Sequence, residues 1–399
     1  MKTMKKTLII SAIAAALLGT GCVSNDVFSP EEKQVEICFT TPVVGSMTKA
    51  SETPVYGEIN GTTYDPKENF VIYAVRHPNT YDGWTSNNAT TYINGGEFTY
   101  DRLYDDGTPD SGGTVGSGGW KGKYTKYYWP ESGVLSFGGY SPAGIQGTFT
   151  YNAAGLKIES FAIKTNAAEH QDLMYAERVY NKKNNTTDAN NAIYDGVDIA
   201  FKHALSSIQF KVQLSADYSS IFKLTSIKVG QVKYSGTFTE GITETITKDS
   251  TTGTITVDSD NAPAWSVANT LLPNETPYVA FSSTDGLVLN NNYKDGTTDN
   301  YLTLDGVTGQ NDLILMPQEF VKVVDGSDVV VNSDAEIVIE YTVNDSPQSS
   351  TVKLSDIITY KWEIGKRYTY NITLGYDLIL VGATVEKWEE NDDINIPIS

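Results

Sequence analysis

Cys22 is the residue whose surroundings most clearly indicate a chemistry. Three lysines in the first six residues precede an apolar run over residues 8–18, and three small residues then lead to Cys22. This order is typical of an export signal, and the run is shorter than the roughly 20 residues of a membrane-spanning helix. A cysteine in this place resembles the lipobox at which bacterial signal peptidase II cleaves and diacylglycerol is attached, although Gly19 stands where leucine is usual.

We therefore expect residues 1–21 to be a signal peptide and Cys22 to carry a lipid. The alternative is an unmodified Cys22 near a signal peptidase I site. Cys38 is the one other cysteine, so an acylated Cys22 leaves no intramolecular disulfide.

The other residues that could support metal or catalytic chemistry do not form a motif. His77, His170 and His203 lie in unrelated segments, and no His-x-x-x-His or Cys-x-x-Cys pair is present. The sequence also lacks a Gly-x-Ser-x-Gly motif and a phosphate-binding loop. Dispersed carboxylates could still form a glycosidase pair, because a sequence does not give their separation. We predict that the chain is not an enzyme and has no catalytic residue, metal or cofactor.

The elements that position these residues are predicted to be strands. Val35, Ile37 and Phe39 alternate with other residues at period two, which predicts a first strand with one buried face. Similar runs recur between turns rich in Gly, Asn and Asp, and no segment shows helical periodicity over three turns. The runs include 70–75, 124–129, 134–139, 222–229, 237–247 and 367–374. This pattern predicts an all-β chain of sandwiches built from Greek keys.

Composition supports this fold class and limits the partners. Aromatic residues make up 11% of the chain, with 25 tyrosines, which favours sheets with half-buried aromatic faces. The net charge of -20 opposes binding to nucleic acid. A polar stretch at 181–191 suggests a boundary between two domains of similar size. We predict a tether at 22–33, an N-terminal domain at 34–195 and a C-terminal domain at 196–399.

Several short motifs, in this order and at these spacings, resemble one known family. Most of their aromatic and aliphatic residues are predicted to lie in the core, and His203 is predicted to be a structural hydrogen-bonding residue. The motifs lie at 127–130, 135–142, 172–176, 201–208 and 315–318, and they close with Trp362, Gly365, Tyr368, Tyr370, Ile372, Leu374 and Trp388. Together they resemble the fimbrillins and fimbrillin-like lipoproteins of Bacteroidetes, the type V pilins.

The resemblance implies two transthyretin-like β-sandwich domains and export as an outer-membrane lipoprotein exposed at the cell surface. In polymerising members of this family, a protease removes the first strand and another subunit donates a replacement. The segment Thr48, Lys49 and Ala50 resembles the Thr-Arg-Ala processing site of the family, and it lies in an accessible loop. Because lysine replaces arginine, either a different protease cuts here or the chain stays unprocessed as an anchor.

The C-terminal segment 392–399 is the predicted donor strand. Ile394, Ile396 and Ile398 repeat the period-two pattern of the first strand. An extended segment with this pattern can add to an open sheet edge through main-chain hydrogen bonds. The alternative is that the segment closes its own C-terminal sandwich.

The predicted function is that of a structural or adhesive subunit, or an anchor, of a cell-surface fimbria. Its partners would be other pilin subunits in a homo- or heteropolymer, the outer membrane through the lipid, and a host or bacterial surface ligand. The alternative is a monomeric glycan-binding lipoprotein that stacks sugars on Trp84, Trp120 or Tyr124. Ser250, in Asp249-Ser250-Thr251, resembles an O-glycosylation site of this bacterial group.

Overall fold

The computed structural model of the chain describes residues 35–39, 43–44, 69–78, 84, 89–101, 119–183, 196–248, 255–289, 301–324, 327–357, 360–376 and 379–388. Within these ranges the regular structure consists of β-strands and two short 3-10 turns, Ala167–Glu169 and Leu354–Asp356. The prediction of an all-β chain with several antiparallel sheets is confirmed.

The strands of the first half, in chain order, are β1 (Val43–Val44), β2 (Phe70–His77), β3 (Thr90–Asp101), β4 (Gly119–Gly122), β5 (Val134–Ser141), β6 (Thr148–Asn152), β7 (Gly155–Ala162), β8 (Met174–Ala176), β9 (Val179–Lys182) and β10 (Ala200–His203). The middle of the chain forms β11 (Ser206–Leu214), β12 (Phe222–Gly230), β13 (Ser235–Thr239), β14 (Ile242–Lys248), β15 (Ile255–Asn261), β16 (Ala264–Val267), β17 (Tyr278–Leu289) and β18 (Leu302–Thr303). The last strands are β19 (Leu313–Leu315), β20 (Gln318–Glu319), β21 (Val321–Val324), β22 (Ser327–Val330), β23 (Glu336–Val343), β24 (Ser346–Lys353), β25 (Lys361–Trp362), β26 (Lys366–Leu374) and β27 (Ile379–Lys387).

The first sheet contains eight strands in the order β1-β10-β8-β5-β2-β3-β4, with β9 also paired to β5. Its central strand β5 is buried along its whole length. Successive side chains of a strand point to opposite faces, so β5 supplies two cores, with Phe137 in a small core and Tyr140 in a large one. Gly138 lies between these two residues and has no room for a side chain, because the Tyr151 hydroxyl occupies the place where a Cβ would stand.

The small core lies on one face of the first sheet. Its buried residues are Ile37, Phe39, Phe70, Ile72, Ala74, Ile93, Phe98, Trp120, Trp129, Leu135, Phe137, Met174, Ala176, Val179, Val197, Ile199 and Phe201. They include alternate positions of β2, β5 and β8, as expected for strands that bury one face here.

The large core fills a sandwich in the second half of the chain. One sheet has the order β18-β11-β26-β27 with β19 beside β11, and the other has the order β17-β12-β23-β24. Phe210 and Tyr370 from the sheet of β11 and β26, and Phe222 and Tyr341 from the sheet of β12 and β23, all lie in the same buried cluster. β11 and β26 are parallel neighbours from Ser207↔Arg367 to Leu214↔Leu374 without a register shift.

A fourth sheet crosses the predicted boundary at residues 195 and 196. Its order is β16-β13-β7-β6, so β7 from the first half pairs directly with β13 from the second. The predicted domain division therefore separates two segments that share hydrogen bonds, and the domain bounds stay a prediction.

Two predicted strands differ from those in the structure, and one long strand was not predicted. Residues 124–129 do not form the predicted strand, since they make an isolated bridge from Tyr128 to Glu36 instead of a continuous ladder. The predicted strand 237–247 is two strands, because Gly241 adopts a positive φ of 66° between them. β24 was not predicted, and its largely exposed side chains at the sheet edge explain why it shows no alternation.

Candidate functional site

The predicted first strand lies beside residues 119–129 on one of its edges. Phe39 and Trp120 exchange two backbone hydrogen bonds, each 3.0 Å long, and the Ile37 N–H donates to the Tyr127 carbonyl at 2.7 Å. These contacts run antiparallel. The segment is therefore held against β4 and the residues that follow it.

The other edge of the segment lies beside residues 196–201. The Val197 N–H donates to the Cys38 carbonyl at 2.8 Å, and Phe39 forms a parallel bridge with Val197. β1 continues in the same direction along β10. Since β4 and β10 stand far apart in the strand order, residues 35–39 close the first sheet between them. We call the space that they fill the first-strand slot.

The side chain of Phe39 occupies an aromatic box in this slot. Its ring meets Phe70, Phe98 and Phe137 at centroid distances of 5.7, 4.9 and 5.5 Å, with interplanar angles of 89°, 86° and 86°. All four rings are fully buried. T-shaped contacts of this kind add about 0.5–1.5 kcal/mol each beyond the burial of area. Phe39 is thus the main side-chain anchor of the segment.

The expectation of one buried face is wrong for this segment. Ile37 is fully buried and Val35 is half-buried, but Glu36 and Cys38 on the other face are 3% and 0% exposed. A strand that closes a sheet has neighbours on both edges, and here its second face also lies inside the protein. The period-two alternation in the sequence did not distinguish a strand with one buried face from a strand with both faces buried.

Cys38 takes part in a disulfide bond. The chain contains one other cysteine, Cys22, which lies outside the described residues. A lipidated Cys22 and an intramolecular bridge exclude each other, because a thioether-linked sulfur cannot form a disulfide. The prediction for Cys22 and this bond are therefore alternatives that one measurement on the mature protein can separate.

The remaining predicted site residues lie outside the described residues. They are Lys49 and Ala50 of the processing site, Ser250 of the glycosylation site, and Ile394, Ile396 and Ile398 of the donor strand. The signal peptide, the tether and the segment 392–399 lie outside as well. These assignments stay predictions.

Two of the three aromatic residues proposed for sugar stacking are buried. Trp120 is 0% exposed and Trp84 is 8% exposed, whereas Tyr124 is 78% exposed. A ring must present a free face to stack on a sugar. Tyr124 alone among the three offers one.

An ion pair that the sequence did not indicate lies where the two halves meet. Arg178, between β8 and β9, donates to Glu244 of β14 at 2.7 Å and to the backbone carbonyls of Asn152 and Ala153 at 2.7 and 2.9 Å. Its side chain is 0% exposed. The guanidinium carbon also lies 4.2 Å from the centroid of the Trp84 ring.

This arrangement satisfies a buried charge with a carboxylate, two carbonyls and an aromatic face, which is how buried arginines are tolerated. It fixes the turn between β6 and β7 to a strand of the second half. The sequence did not indicate this pair, because no strand was predicted beside Arg178 and its partner Glu244 is distant along the chain. We refer to Arg178, Glu244 and Trp84 as the junction cluster.

Two titratable groups, the buried Glu240 and the half-buried His170, have shifted pKa values. Burial raises the pKa of Glu240 to about 7, although the Leu156 N–H, which donates to it at 2.8 Å, and the Arg178 and Lys202 charges oppose the shift. Burial lowers the pKa of His170 to about 4, and the Lys164 carbonyl, 3.0 Å from its Nε2, opposes this shift.

His203 makes the predicted structural hydrogen bond. Its Nδ1 lies 2.6 Å from Asp172 Oδ2, and its ring stacks on Trp388 with centroids 3.8 Å apart. The Trp388 N–H donates to the Gly365 carbonyl at 3.0 Å. Three of the motifs that are distant in sequence therefore meet in one buried cluster, which explains their order and spacing as features of the fold.

No group of three or more His, Cys, Asp or Glu side chains placed to hold a metal occurs in the described ranges. In the same part of the chain, no helix has the length and apolar character needed to cross a membrane.

Comparison with known proteins adds a family assignment. A family model described as Fimbrillin-like matches residues 60–388. No curated protein matches the sequence at a significant level.

Several solved structures are similar to this chain at low sequence identity. A candidate cell adhesion protein from Bacteroides uniformis has a TM-score of 0.46 at 15% identity and covers 90% of this chain and 100% of its own. A fimbrial protein from Bacteroides vulgatus has a TM-score of 0.40 at 15% identity, covering 80% of this chain and 92% of its own. The tip fimbrial protein Mfa3 of Porphyromonas gingivalis, with a C-terminal truncation, has a TM-score of 0.30 at 10% identity, covering 81% and 95%.

Proposed function

The chain belongs to the fimbrillin-like family, and from that premise we propose that it is a fimbrial subunit whose first strand is removed and then replaced by a strand from another subunit. The family supports the broader role of a structural or adhesive subunit that assembles with other subunits in a cell-surface fimbria. The replacement of the strand is the specific part of the proposal.

The position of residues 35–39 is the observation that carries this proposal. The segment closes the sheet between β4 and β10, and all its neighbours follow Lys49 and Ala50 in the chain. A cut at that site would leave the segment attached by non-covalent contacts alone. Its departure would expose two strand edges and an aromatic box, and such edges pair readily with other strands.

The C-terminal segment 392–399 is the proposed donor strand, which would enter the corresponding slot of a neighbouring subunit. Ile394, Ile396 and Ile398 can fill alternate pockets while the backbone restores the hydrogen bonds. Pro397 has no N–H, so it must occupy a position where the ladder needs no donor. Donation to a neighbour competes with closure of the sandwich from which the segment departs.

Lipidation of Cys22 is the proposed means of attachment to the outer membrane. A single lipidated residue would tether the exported precursor, and removal of residues 22–49 would release the subunit for assembly. Intact-mass analysis of the exported precursor, before any cut at Lys49 and without reductant, separates the alternatives at Cys22. A mass increase for diacylglycerol supports the anchor, while loss of two hydrogens with no lipid supports the disulfide.

The test of the proposed function compares Lys49→Ala with Lys33→Ala, a matched change in the tether, in cells that assemble the protein on their surface. We expect wild-type and Lys33→Ala polymers to begin at Ala50 and to persist in denaturant. Lys49→Ala should remain a precursor that begins at Cys22. Polymers of wild-type protein that still begin at Cys22 would contradict strand removal.

A second arm tests the donor. Deletion of residues 392–399 should leave a folded, exported and processed protein that no longer donates to polymers. Normal polymer length with this deletion would exclude the segment as the donor strand. Loss of export or of folding would indicate instead that the segment closes its own sandwich.

A further inference from the structure

We propose that the first-strand slot selects a replacement strand with an aromatic side chain at the Phe39 position and an aliphatic one at the Ile37 position. This strand comes from a subunit whose sequence differs from that of this chain. This inference rests on the proposed function. It specifies the chemistry of the partner that enters the slot, as distinct from the partner that receives this chain's own C-terminal segment.

The geometry of the box carries the first step. Phe39 makes T-shaped contacts with three rings, and two of these, Phe70 and Phe98, are themselves stacked at 5.8 Å with an interplanar angle of 3°. The electron-rich faces and electron-poor edges of aromatic rings give such contacts a directional preference. A branched aliphatic side chain offers neither a flat face nor a polarised edge to these walls.

The walls of the box would remain after the first strand leaves. Phe70 belongs to β2, Phe98 to β3 and Phe137 to β5, and Trp120 on β4 lies 5.0 Å from Phe70. These strands pair with one another independently of residues 35–39. The open slot would therefore keep the shape that it has around Phe39.

The chain's own C-terminal segment does not match this shape. Residues 389–399 contain no aromatic residue, and the alternating positions are Ile394, Ile396 and Ile398. In every register that points the isoleucines into the slot, the C-terminal segment of a second copy would place isoleucine in the box and leave part of it unfilled. Protein interiors are packed closely enough that such a void weakens binding. A strand with an aliphatic-x-aromatic pattern would fill both pockets.

A strand-exchange experiment on the full-length chain tests this. A recognition sequence for a site-specific protease is inserted after Lys49, and the protein is cut but kept intact as a non-covalent complex. Four labelled peptides then compete with the first strand: residues 34–40, the same peptide with Phe39→Ile, residues 392–399, and the latter with Ile398→Phe. The uncut protein controls for binding elsewhere.

We expect the two peptides with phenylalanine to bind at least about tenfold more tightly than their isoleucine partners. The gain from Ile398→Phe is the decisive comparison, because that peptide keeps the sequence of the natural tail. Equal affinity of the wild-type tail and the first-strand peptide would overturn the inference and favour a second copy as the partner. If no peptide enters the cut protein, strand replacement itself fails, and the proposed function fails with it.

A measurement without peptides gives an independent check. In the cut protein, Phe39→Ile should release the first strand at least about tenfold faster than wild type. Size-exclusion chromatography over time measures this release. Val35→Ala, at the half-buried end of the segment, is the matched control and should have a much smaller effect. Similar release rates for the two variants would contradict the dominant role of the aromatic box.

Discussion

The small and large cores differ in how their closing strands are held. In the large core, β26 pairs with β11 from Ser207↔Arg367 to Leu214↔Leu374 and then continues into a hairpin with β27. In the small core, residues 35–39 make isolated bridges to Trp120, Tyr128 and Val197. The backbone ladder is continuous in one case and interrupted in the other.

The side chains do not differ in this way, since Tyr370 and Ile372 of β26 are fully buried too. Phe39 meets three buried rings of the small core, and its neighbours Ile37 and Cys38 are fully buried as well. A strand held mainly by side chains can be exchanged for another with matching side chains, since few ladder bonds have to be broken together. A continuous ladder fixes its strand permanently. The comparison therefore supports the proposal that residues 35–39 are the exchangeable part of the molecule.

The largest expected effect comes from Phe39→Ala. Truncation of a buried phenylalanine costs about 3–5 kcal/mol, and we expect this loss to fall on the small core. Hydrogen exchange should accelerate in β2 and β5 while β11 and β26 stay protected. Phe222→Ala, at a fully buried position in the large core, is the matched control and should show the reverse distribution. Uniform loss of protection in both variants would mean that the cores unfold as one unit.

The next effect concerns the junction cluster between the two regions. Arg178→Ala leaves the Glu244 carboxylate buried without its partner, which costs about 3 kcal/mol or more. Because Arg178 also holds the turn between β6 and β7, exchange should increase in that turn before either core is affected. A double-mutant cycle with Glu244→Ala, read by urea denaturation, should give a clear coupling energy. Additive effects would show that the pair does not act as a unit.

The pH dependence of stability has two opposing contributions, from Glu240 and from His170, because folding shifts their pKa values in opposite directions. The raised pKa of Glu240 means that the folded state keeps a proton that the unfolded state releases, so its contribution is present below about pH 4.5 and is lost as the pH rises through about 7. The lowered pKa of His170 has the opposite sign, so its contribution is present above about pH 6.5 and is lost as the pH falls towards 4.

Glu240→Gln separates these contributions. Each can reach roughly 3 kcal/mol at most, so between pH 4.5 and 6.5 they nearly cancel in the wild-type protein. In the variant, we expect the free energy of unfolding to rise with pH over this window, because the His170 contribution alone remains. Urea denaturation at half-unit pH intervals measures this, with Glu131→Gln at an exposed position as the control. An unchanged profile would contradict the shifted pKa of Glu240.

The sequence predicted the strands that carry apolar residues, in alternation or in a continuous run, and it failed where most side chains are exposed. β2 and β5 were predicted because their apolar residues are continuous, whereas β24, with largely exposed side chains, shows no pattern. The predicted strand at 124–129 has aromatic residues, but it forms an isolated bridge between Tyr128 and Glu36 instead of a continuous ladder. Ladder continuity depends on the partner strand, and a single segment does not specify it.

The candidate site was predictable to a similar extent. The alternation of Val35, Ile37 and Phe39 identified the segment, and the structure places Ile37 and Phe39 in the core. The aromatic box around Phe39 was not predictable, because its walls are distant in sequence and meet only through the pairing of β2, β3 and β5. The junction cluster was missed for the same reason, since Arg178 and Glu244 belong to different halves of the chain.

The smallest effect sharpens the comparison within the first half of the chain, where a buried and an exposed aromatic residue can be contrasted. Tyr124 follows β4 closely, as does the segment that holds the first strand, but it is 78% exposed and contacts the Lys123 ammonium 4.9 Å from its ring centroid. Tyr124→Ala should leave the free energy of unfolding unchanged within about 0.5 kcal/mol, because surface substitutions rarely exceed this. It should also leave polymer assembly unchanged. The same variant tests the glycan-binding alternative, since Tyr124 is the one exposed ring of the three aromatic residues proposed to stack on sugars. Retention of wild-type protein, but not of Tyr124→Ala, on a polysaccharide column would support that alternative, and equal elution of the two proteins would contradict sugar stacking at this residue.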